Sequence, residues 1–353
     1  MSITPEPAEA VRIHRAARVE DALHRAVSPR LRRRGWHVVI VPYTGYGAPG
    51  WVRVMGRVRI ARIAPAPKRP EKLRGWRSFT TLPVKGAPVV IDAGGSRHEV
   101  RTDRGGNFDA VVPVDLAPGW ASVRISTEGA DPVTAPVRVV DPLVTFGIIS
   151  DIDDTVMVTA LPRPLLAAWN TFVLDEHARM AVPGMAVLYE RLTSAFPGAP
   201  VLYLSTGAWN VAPTLTRFLS RHLYPLGPLL LTDWGPTDQA WFRSGRAHKQ
   251  ATLTRLAREF PQIRWLLIGD DGQHDEEIYA EFAAVHPDQV AAVAIRHLSP
   301  TQSVLAGSLP GFAADSASQG PAGKPWLYAP DGAGLWRLLV QSGLVRDDRP
   351  RQR

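Results

Sequence analysis

The sequence predicts an α/β fold built on a parallel sheet, preceded by a small antiparallel β-sandwich. Three observations predict it. From Val144 onward, compact apolar runs (VTFGIIS, PVLYLSTG, GPLLLTDW, RWLLIGDD and VAAVAIRHL) alternate with helical patterns (PGMAVLYERLTSAF, APTLTRFLSRH, KQATLTRLAREF and DEEIYAEFAAVH). That alternation means βαβ units and a sheet buried on both faces. Upstream, between about Ser78 and Pro142, short β-branched segments alternate with turn residues, the pattern of a small sandwich. Finally, acids, hydroxyls and glycines gather where the apolar runs end. In open parallel sheets ligands lie outside those carboxyl ends.

Taken in order, residues from about 8 to 35 read as a basic amphipathic helix, with Val11, Ile13, Val19 and Leu23 on its apolar stripe. WHVVIVPYTGYG and WVRVMGRVRIARI then read as strands, and APAPKRPEK as a proline-rich hinge. APVVIDA, SRHEVRTD, GNFDAVVPVDL, WASVRIST and APVRVVDP supply the sandwich strands. After about Pro300 the chain is rich in Gly, Ala, Ser and Pro as far as a short helix around GLWRLLVQSGLV, and RDDRPRQR reads as a solvated tail. The expected divisions are 1–76 (basic helix and β-rich segment), 77–142 (sandwich), 143–300 (α/β domain) and 301–353 (C-terminal extension).

Composition narrows the function classes. Of 353 residues 45% are hydrophobic and 21% charged, the balance of a globular protein. No apolar run reaches the roughly 20 residues that span a bilayer. The charged N-terminal stretch has no apolar signal core, so a cytoplasmic location is expected. The absence of cysteine excludes disulfides and thiolate chemistry. The formal charge of +8 favours anionic partners or an anionic membrane surface. Arg and Ala bias explains the charge equally well, and no aromatic-interleaved basic stripe points to nucleic acid.

GYGAPG, Gly45 to Gly50, matches the dinucleotide-binding glycine pattern. That site needs a helix to begin inside the motif. Pro49 and the strand-like WVRVMGRVRI that follows indicate a glycine turn between strands instead.

The chemistry begins at FGIISDIDDTV. Asp151 and Asp153 alternate on an extended segment and can project toward one place. Two close carboxylates repel unless a proton or cation offsets them. Mg²⁺, which prefers oxygen ligands and keeps several waters, suits that need. One aspartate could then attack phosphorus and form an aspartyl-phosphate, and the other could exchange protons with leaving group and water. Taken alone, DIDDT reads as readily as a solvated loop. Ser205 ends VLYL and offers a hydroxyl to a phosphate oxygen, or a helix cap. Lys249 is the only lysine between Val144 and Pro300, in a segment otherwise served by arginine, and it is read as opening the helix KQATLTRLAREF. Its ammonium could neutralise both an aspartate and a phosphoryl group, though a surface lysine is the plainer reading. In LLIGDDGQHDEEIY a second apolar run ends in acids, and Asp270 could complete an oxygen site with Asp151. Helix capping is the plainer reading for Asp275 and Glu276.

The set D-x-D-x-T, strand-Ser, Lys and G-D-x-x-x-x-D resembles the four motifs of the haloacid dehalogenase superfamily. SDIDDTV, YLSTGAWN, HK and IGDDGQHDEEIY are similar to the actin-patch-associated phosphatidate phosphatase family, distant relatives of the lipins. The resemblance covers roughly Val144 to Leu298. It implies a haloacid-dehalogenase-like Rossmannoid sheet with a small cap. It implies that Asp151 is nucleophile and Mg²⁺ ligand. Asp153 would be general acid/base and would give its carbonyl to the metal. Thr155 would order the loop, Ser205 bind phosphoryl oxygens, Lys249 hold Asp151 and phosphate, Asp270 ligate Mg²⁺, and Asp275 support the metal shell. Asp271 stands where the family often carries Ser, which leaves its role open, and Asp154 is expected to be structural.

Between the first two motifs TALPRPLLAAWNTFVLDEHARMAVPGM is too short for a large cap. Leu165, Leu166, Trp169, Phe172 and Val173 could form a small lid that admits a lipid headgroup, or could simply pack on the sheet. Arg163, Arg179, Trp209 and Asn210 are candidates for the entrance. The leading expectation is a Mg²⁺-dependent phosphomonoesterase acting on phosphatidate, with peripheral membrane contact. A phosphatase of soluble phosphometabolites or phosphoproteins, and a non-catalytic module binding anionic membrane or protein, are the alternatives.

Overall fold

The computed structural model describes residues 36–62, 82–158, 180–232, 238–272, 274–299 and 315–346. The expected basic helix, proline hinge, lid and terminal tail lie outside these residues.

Among the described residues the N-terminal part is all β: β1 (Trp36–Pro42), β2 (Gly45–Ala48), β3 (Gly50–Arg62), β4 (Leu82–Pro83), β5 (Pro88–Ala93), β6 (Ser96–Arg101), β7 (Asn107–Val114), β8 (Gly119–Thr127) and β9 (Val133–Val139). They form one nine-stranded sheet with β1-β3-β2-β9-β8-β5-β6 as its path and β4 and β7 on the other side of β3. In β5, β7, β8 and β9 apolar residues alternate with exposed or half-exposed ones, so one face of each of these strands is buried. Val52, Val54, Ile60, Val89, Ile91, Val112, Val123, Ile125 and Val137 meet in a single core.

Two expectations change here. The division at 76/77 runs through this sheet, because β3 pairs with β7 from Gly50↔Val114 to Arg57↔Asn107. The sheet is also not purely antiparallel, since β2 runs parallel to β9. The apolar faces of β1–β3 cannot be buried alone, and the later strands cover them. GYGAPG forms β2 and a tight turn into β3, with Ala48 paired to Trp51 and Gly50 at φ +94°. Pro followed by a positive-φ Gly is the residue choice of a type II turn.

The second part comprises β10 (Phe146–Ser150), β11 (Met157–Val158), β12 (Met180–Ala181), α1 (Met185–Ala195), β13 (Val201–Ala208), α2 (Ala212–Arg221), β14 (Leu229–Thr232), α3 (Asp238–Glu259), β15 (Arg264–Asp270), α4 (Asp275–Val285), β16 (Val290–Arg296), β17 (Ser316–Gln319), β18 (Pro325–Ala329) and α5 (Gly332–Gln341). The seven-stranded sheet has the order β14-β13-β10-β15-β16-β18-β17. All neighbours are parallel except β17, which is antiparallel to β18. In order of appearance the parallel strands read 3-2-1-4-5-6, the order of a doubly wound sheet. Its switch point lies between β10 and β15. β10 and β16 are buried along their whole length, as a sheet covered on both faces requires. α1 packs with α5, and α3 with α4.

The C-terminal boundary expected at 300 is also corrected. β18 extends the sheet beside β16, with Val293↔Trp326 through Arg296↔Ala329 in register, and α5 follows it. PWLYA is short, and its Gly-, Ser- and Pro-rich flanks disguise it as tail.

The two sheets meet through side chains. Tyr46, Trp51, Phe260 and Trp265 form a chain of ring contacts. The Tyr46 hydroxyl donates to Glu259 Oε2 (2.8 Å) and Arg53 Nη2 to Glu259 Oε1 (2.9 Å). Tyr43 stacks on Trp209 with ring centroids 4.4 Å apart.

Gly147 makes room for this packing: a Cβ there would lie 2.4 Å from Trp265 Cζ3. Gly147→Ala should therefore destabilise the protein by about 1–3 kcal/mol, the usual cost of overpacking. Trp265→Leu in the same chain should recover part of it. Urea midpoints of the single and double variants check this, and an unchanged midpoint for Gly147→Ala would refute it.

Candidate active site

The site is built where β10 and β15 end side by side at the switch point. Asp151 N donates to Ile268 O (2.8 Å), which extends the ladder past β10 and sets Asp151 beside the β15 exit. A tight turn follows. Val156 N and Met157 N both donate to Ile152 O, at 2.9 and 3.0 Å, and Asp154 N donates to Met157 O (2.8 Å). Asp154 takes φ +57°, a left-handed conformation that Asp tolerates better than most residues.

α4 starts six residues after Gly269 and lies directly against it. A Cβ on Gly269 would sit 2.7 Å from Asp275 Oδ2 and 2.8 Å from Tyr279 Cε2. The missing side chain thus lets Asp275 reach back to the end of β15. Lys249 was expected at a helix start, and the structure places it inside the 22-residue helix α3. Ser244 and Gly245, which look like breakers, are helical. At Gly245 a Cβ would meet Thr206 Cγ2 at 2.9 Å, so glycine brings α3 close to the β13 exit.

These elements converge on one charge cluster. Lys249 Nζ donates to Asp151 Oδ1 (2.6 Å) and to Asp275 Oδ1 (2.5 Å). Lys249 is only 2% exposed, so the surface-lysine reading fails. Ligand oxygens of Asp151, Asp270 and Asp275 lie within 4.8 Å of one another. Asp275 Oδ2 accepts from Asp270 N (3.4 Å), and Asp270 Oδ1 accepts from Gly272 N (2.7 Å). Asp151 Oδ2 and Asp270 Oδ2 are buried with no hydrogen-bond partner.

Asp153 lies apart from this trio, in contact with Ser205. Ser205 Oγ donates to Asp153 Oδ2 (3.0 Å) and accepts from Gly207 N (2.9 Å). The incoming N–H occupies one hydroxyl lone pair and leaves the Ser205 proton for the carboxylate. The Thr155 hydroxyl is buried without a hydrogen-bond partner, and the hydrogen bonds of the turn come from its backbone.

The two open roles acquire a structural content. Asp271 Oδ1 accepts from Leu298 N (2.9 Å) and its Oδ2 pairs with His297 Nδ1 (2.7 Å), tying the exits of β15 and β16 together. The Asp154 carbonyl accepts from Arg296 Nη1 (2.5 Å). Sequence reasoning missed Arg296, although an arginine closing the apolar strand VAAVAIR was a legible signal. Arg163 and Arg179 lie outside the described residues. Trp209 faces Tyr43 and lines a cavity of about 430 Å³ between the sheets, with Met55, Phe108, His248 and Arg255. None of the site carboxylates lines that cavity.

Burial raises the pKa of Asp151 well above the ordinary carboxylate value, against the pull of Lys249 and with repulsion from Asp275 and Asp153 added. Burial likewise raises Asp270, assisted by Asp275, Asp151 and Asp154. For Lys249, burial opposes the charge, but Asp151 and Asp275 outweigh it and hold the pKa above the usual lysine value. One ammonium cannot balance three buried carboxylates. Asp151 and Asp270 therefore retain protons, without a further cation, to higher pH than free acids do.

Residues 146–297 match the family described as phosphatidate phosphatase APP1, catalytic domain. The chain is 25% identical over 248 residues to phosphatidate phosphatase APP1 of Saccharomyces cerevisiae, covering 66% of this chain and 41% of the yeast protein. It is 29% identical to an uncharacterized protein of Schizosaccharomyces pombe over 43% of this chain and 25% of that one. The chain thus spans less than half the length of either relative. Among solved structures, PhoD aligns with a TM-score of 0.35 at 8% identity, covering 83% of this chain and 76% of that one. Such a score does not define a shared fold.

Lys249→Met strands two buried carboxylates and should cost about 3–5 kcal/mol at neutral pH, as for other broken buried pairs. The sign with pH follows from the raised acid pKa values. Asp151 and Asp270 contribute most to stability while neutral, below the ordinary carboxylate range, and that contribution is lost as pH rises through their raised folded values. The Lys249→Met deficit should accordingly be smaller at pH 5 than at pH 8 in urea unfolding. A deficit independent of pH would contradict this charge balance.

Proposed function

We propose that this chain is a Mg²⁺-dependent phosphomonoesterase with a haloacid-dehalogenase-like domain, and that it hydrolyses phosphatidate to diacylglycerol and phosphate. The observation that carries the reading is the pair of unpartnered carboxylate oxygens, Asp151 Oδ2 and Asp270 Oδ2, buried beside an ammonium at the switch point of the sheet. The match of residues 146–297 to the phosphatidate phosphatase APP1 catalytic domain supports the substrate class.

The residues present fit a hard divalent ion. Both unpartnered oxygens belong to carboxylates of the 4.8 Å cluster, and neither has a protein donor to satisfy it. Asp151 and Asp270 would hold Mg²⁺, with Asp275 beside them. When bound, the ion would offset the surplus carboxylate charge and screen the negative phosphoryl group from its nucleophile.

The chain's own residues account for the rest. Asp151 attacks phosphorus with a carboxylate oxygen, the bond from phosphorus to the ester oxygen breaks, and Asp153 delivers the proton that the departing alkoxide needs. Asp153 then takes a proton from water as that water attacks the aspartyl-phosphate. Phosphate leaves and the Asp151 carboxylate is restored. Lys249 holds Asp151 in place and favours its ionised form against burial, and its charge favours the incoming phosphoryl group. Ser205 fixes Asp153, and its proton is the one a phosphoryl oxygen would compete for. Among the described residues no helix is long and apolar enough to cross a membrane. With a charge of +8, the protein would meet its lipid from the cytoplasm at an anionic surface.

Phosphate release from phosphatidate in mixed micelles should require Mg²⁺ and be abolished by chelator. Asp151→Asn should lower turnover by at least about 10⁴-fold, and Asp153→Asn by about 10²–10⁴-fold. Metal-independent turnover, or an active Asp151→Asn, would sink the mechanism. Turnover on soluble phosphomonoesters but not on phosphatidate would sink only the substrate.

A separate outcome concerns binding. Mg²⁺ should raise the melting temperature at pH 7.5, less so as pH falls and protons compete for the carboxylates. Asp270→Asn should lose the shift, which differential scanning fluorimetry reads without any turnover.

A further inference from the structure

The nucleophile loop is fastened from a direction that neither the family motifs nor the lysine supply. Arg296 ends β16 and pairs in register with Asp270 at the end of β15. Its side chain is buried, 4% exposed. One arm, Nη1, donates to the carbonyl of Asp154 at 2.5 Å. Nε donates to the carbonyl of Pro330 at 3.2 Å. A planar guanidinium can hold two carbonyls at once in this way, whereas an ammonium has no such fork.

The first of those carbonyls belongs to a costly residue. Asp154 is one of the few non-glycine residues with positive φ among those described, and it follows the proposed acid/base directly. Its N–H is fixed by Met157 O, so the Arg296 bond fixes the peptide plane on its other side. With both planes held, the backbone direction at Asp153 is set. The second carbonyl belongs to the link between β18 and α5, outside residues 146–297. That link is itself rigid, since Gly332 N donates to Pro183 O and His297 N to Ala329 O. The charge of Arg296 survives burial, which pulls its pKa down, because Asp154, Asp270, Asp271 and Asp331 surround it.

We propose that Arg296 is a positioning residue for phosphoryl transfer, clamping the Asp154 turn to the β18–α5 link so that Asp153 is aimed at the leaving oxygen. This rests on the role assigned to Asp153 under the proposed function. A misaimed Asp153 should matter most when the leaving group needs a proton. A merely structural arginine would affect all leaving groups alike.

The test uses the full chain with Mg²⁺ and two substrates, 4-nitrophenyl phosphate, whose leaving group needs little help, and phenyl phosphate, whose leaving group needs more. Arg296→Met should lower kcat/KM by about 10-fold for the first and about 100-fold for the second. Arg296→Lys should narrow that gap, and Arg337→Met, at an exposed arginine paired with Asp315, should leave both rates unchanged. Equal losses on both substrates, or none, would overturn the proposal. Hydrogen exchange supplies a readout free of turnover: amides of residues 152–157 should exchange at least about 10-fold faster in Arg296→Met than in wild type. Unchanged exchange there also overturns it. If Arg296→Met does not fold, Arg296→Lys carries both readouts, with smaller changes of the same sign. A wild type inactive on both esters and on phosphatidate would instead overturn the reading of the site, and exchange would still decide the clamp.

Discussion

One buried ammonium organises this domain. Lys249 bonds Asp151 from the β10 exit and Asp275 from the start of α4, so a single charge joins two loops and the helix that carries it. The surrounding structure accommodates that contact. Gly269 has no side chain, so Asp275 can lie against the strand. Gly245 has none, so α3 can approach Thr206. The doubly wound order puts β10 beside β15, which is why acids separated by more than a hundred residues become neighbours. Burying these charges costs stability, and paired partners only partly offset it. The arrangement fits the proposed cation and phosphoryl site better than a device for stability.

The two aspartates of the D-x-D pair differ through their surroundings. Asp151 lies deep among carboxylates and touches the lysine. Asp153 lies against a neutral hydroxyl whose orientation is set by Gly207 N. One acid of the pair thus sits in a charged cluster and the other on a polar neutral partner. The turn between them provides this separation. Ile152 is buried, and the left-handed residue at 154 reverses the chain immediately afterwards.

Much of this was legible in the sequence because it rests on local patterns. Apolar runs of five to eight residues ending in acids gave the strands and the edge where they deliver Asp151, Ser205 and Asp270. Less legible was whatever depended on distant packing. The β1–β3 segment was read apart from the sandwich because nothing local shows that β7 and β9 will pair with it. PWLYA was read as tail because five residues between prolines carry little periodicity. The start of α3 was misplaced because Gly245 is a helix breaker by propensity, and only the closeness of Thr206 explains it. Arg296 closes an apolar strand, which the sequence shows, but its partners are backbone carbonyls, which leave no mark in a side-chain motif.

The N-terminal sheet has a mechanical relation to the site that composition could not reveal. Glu259, the last residue of α3, is held by both Tyr46 and Arg53, and Phe260 next to it joins the ring cluster. Lys249 lies ten residues back along the same helix, about 15 Å at the rise of an α-helix. A helix fixed at its C-terminal end cannot slide along its axis without breaking those bonds, so the sheet sets how far Lys249 reaches toward Asp151. Tyr43 does the same for the other side of the site, by stacking on Trp209 just past the β13 exit that carries Ser205. The β-rich part thus touches the helix bearing the lysine and the strand exit bearing the serine. Relative motion of the two parts would break these contacts and the buried core that Tyr43, Tyr46 and Met55 share with the parallel sheet. It would also displace the two elements that carry Lys249 and Ser205, which ties the β-rich part to the candidate site without placing any of its residues in it.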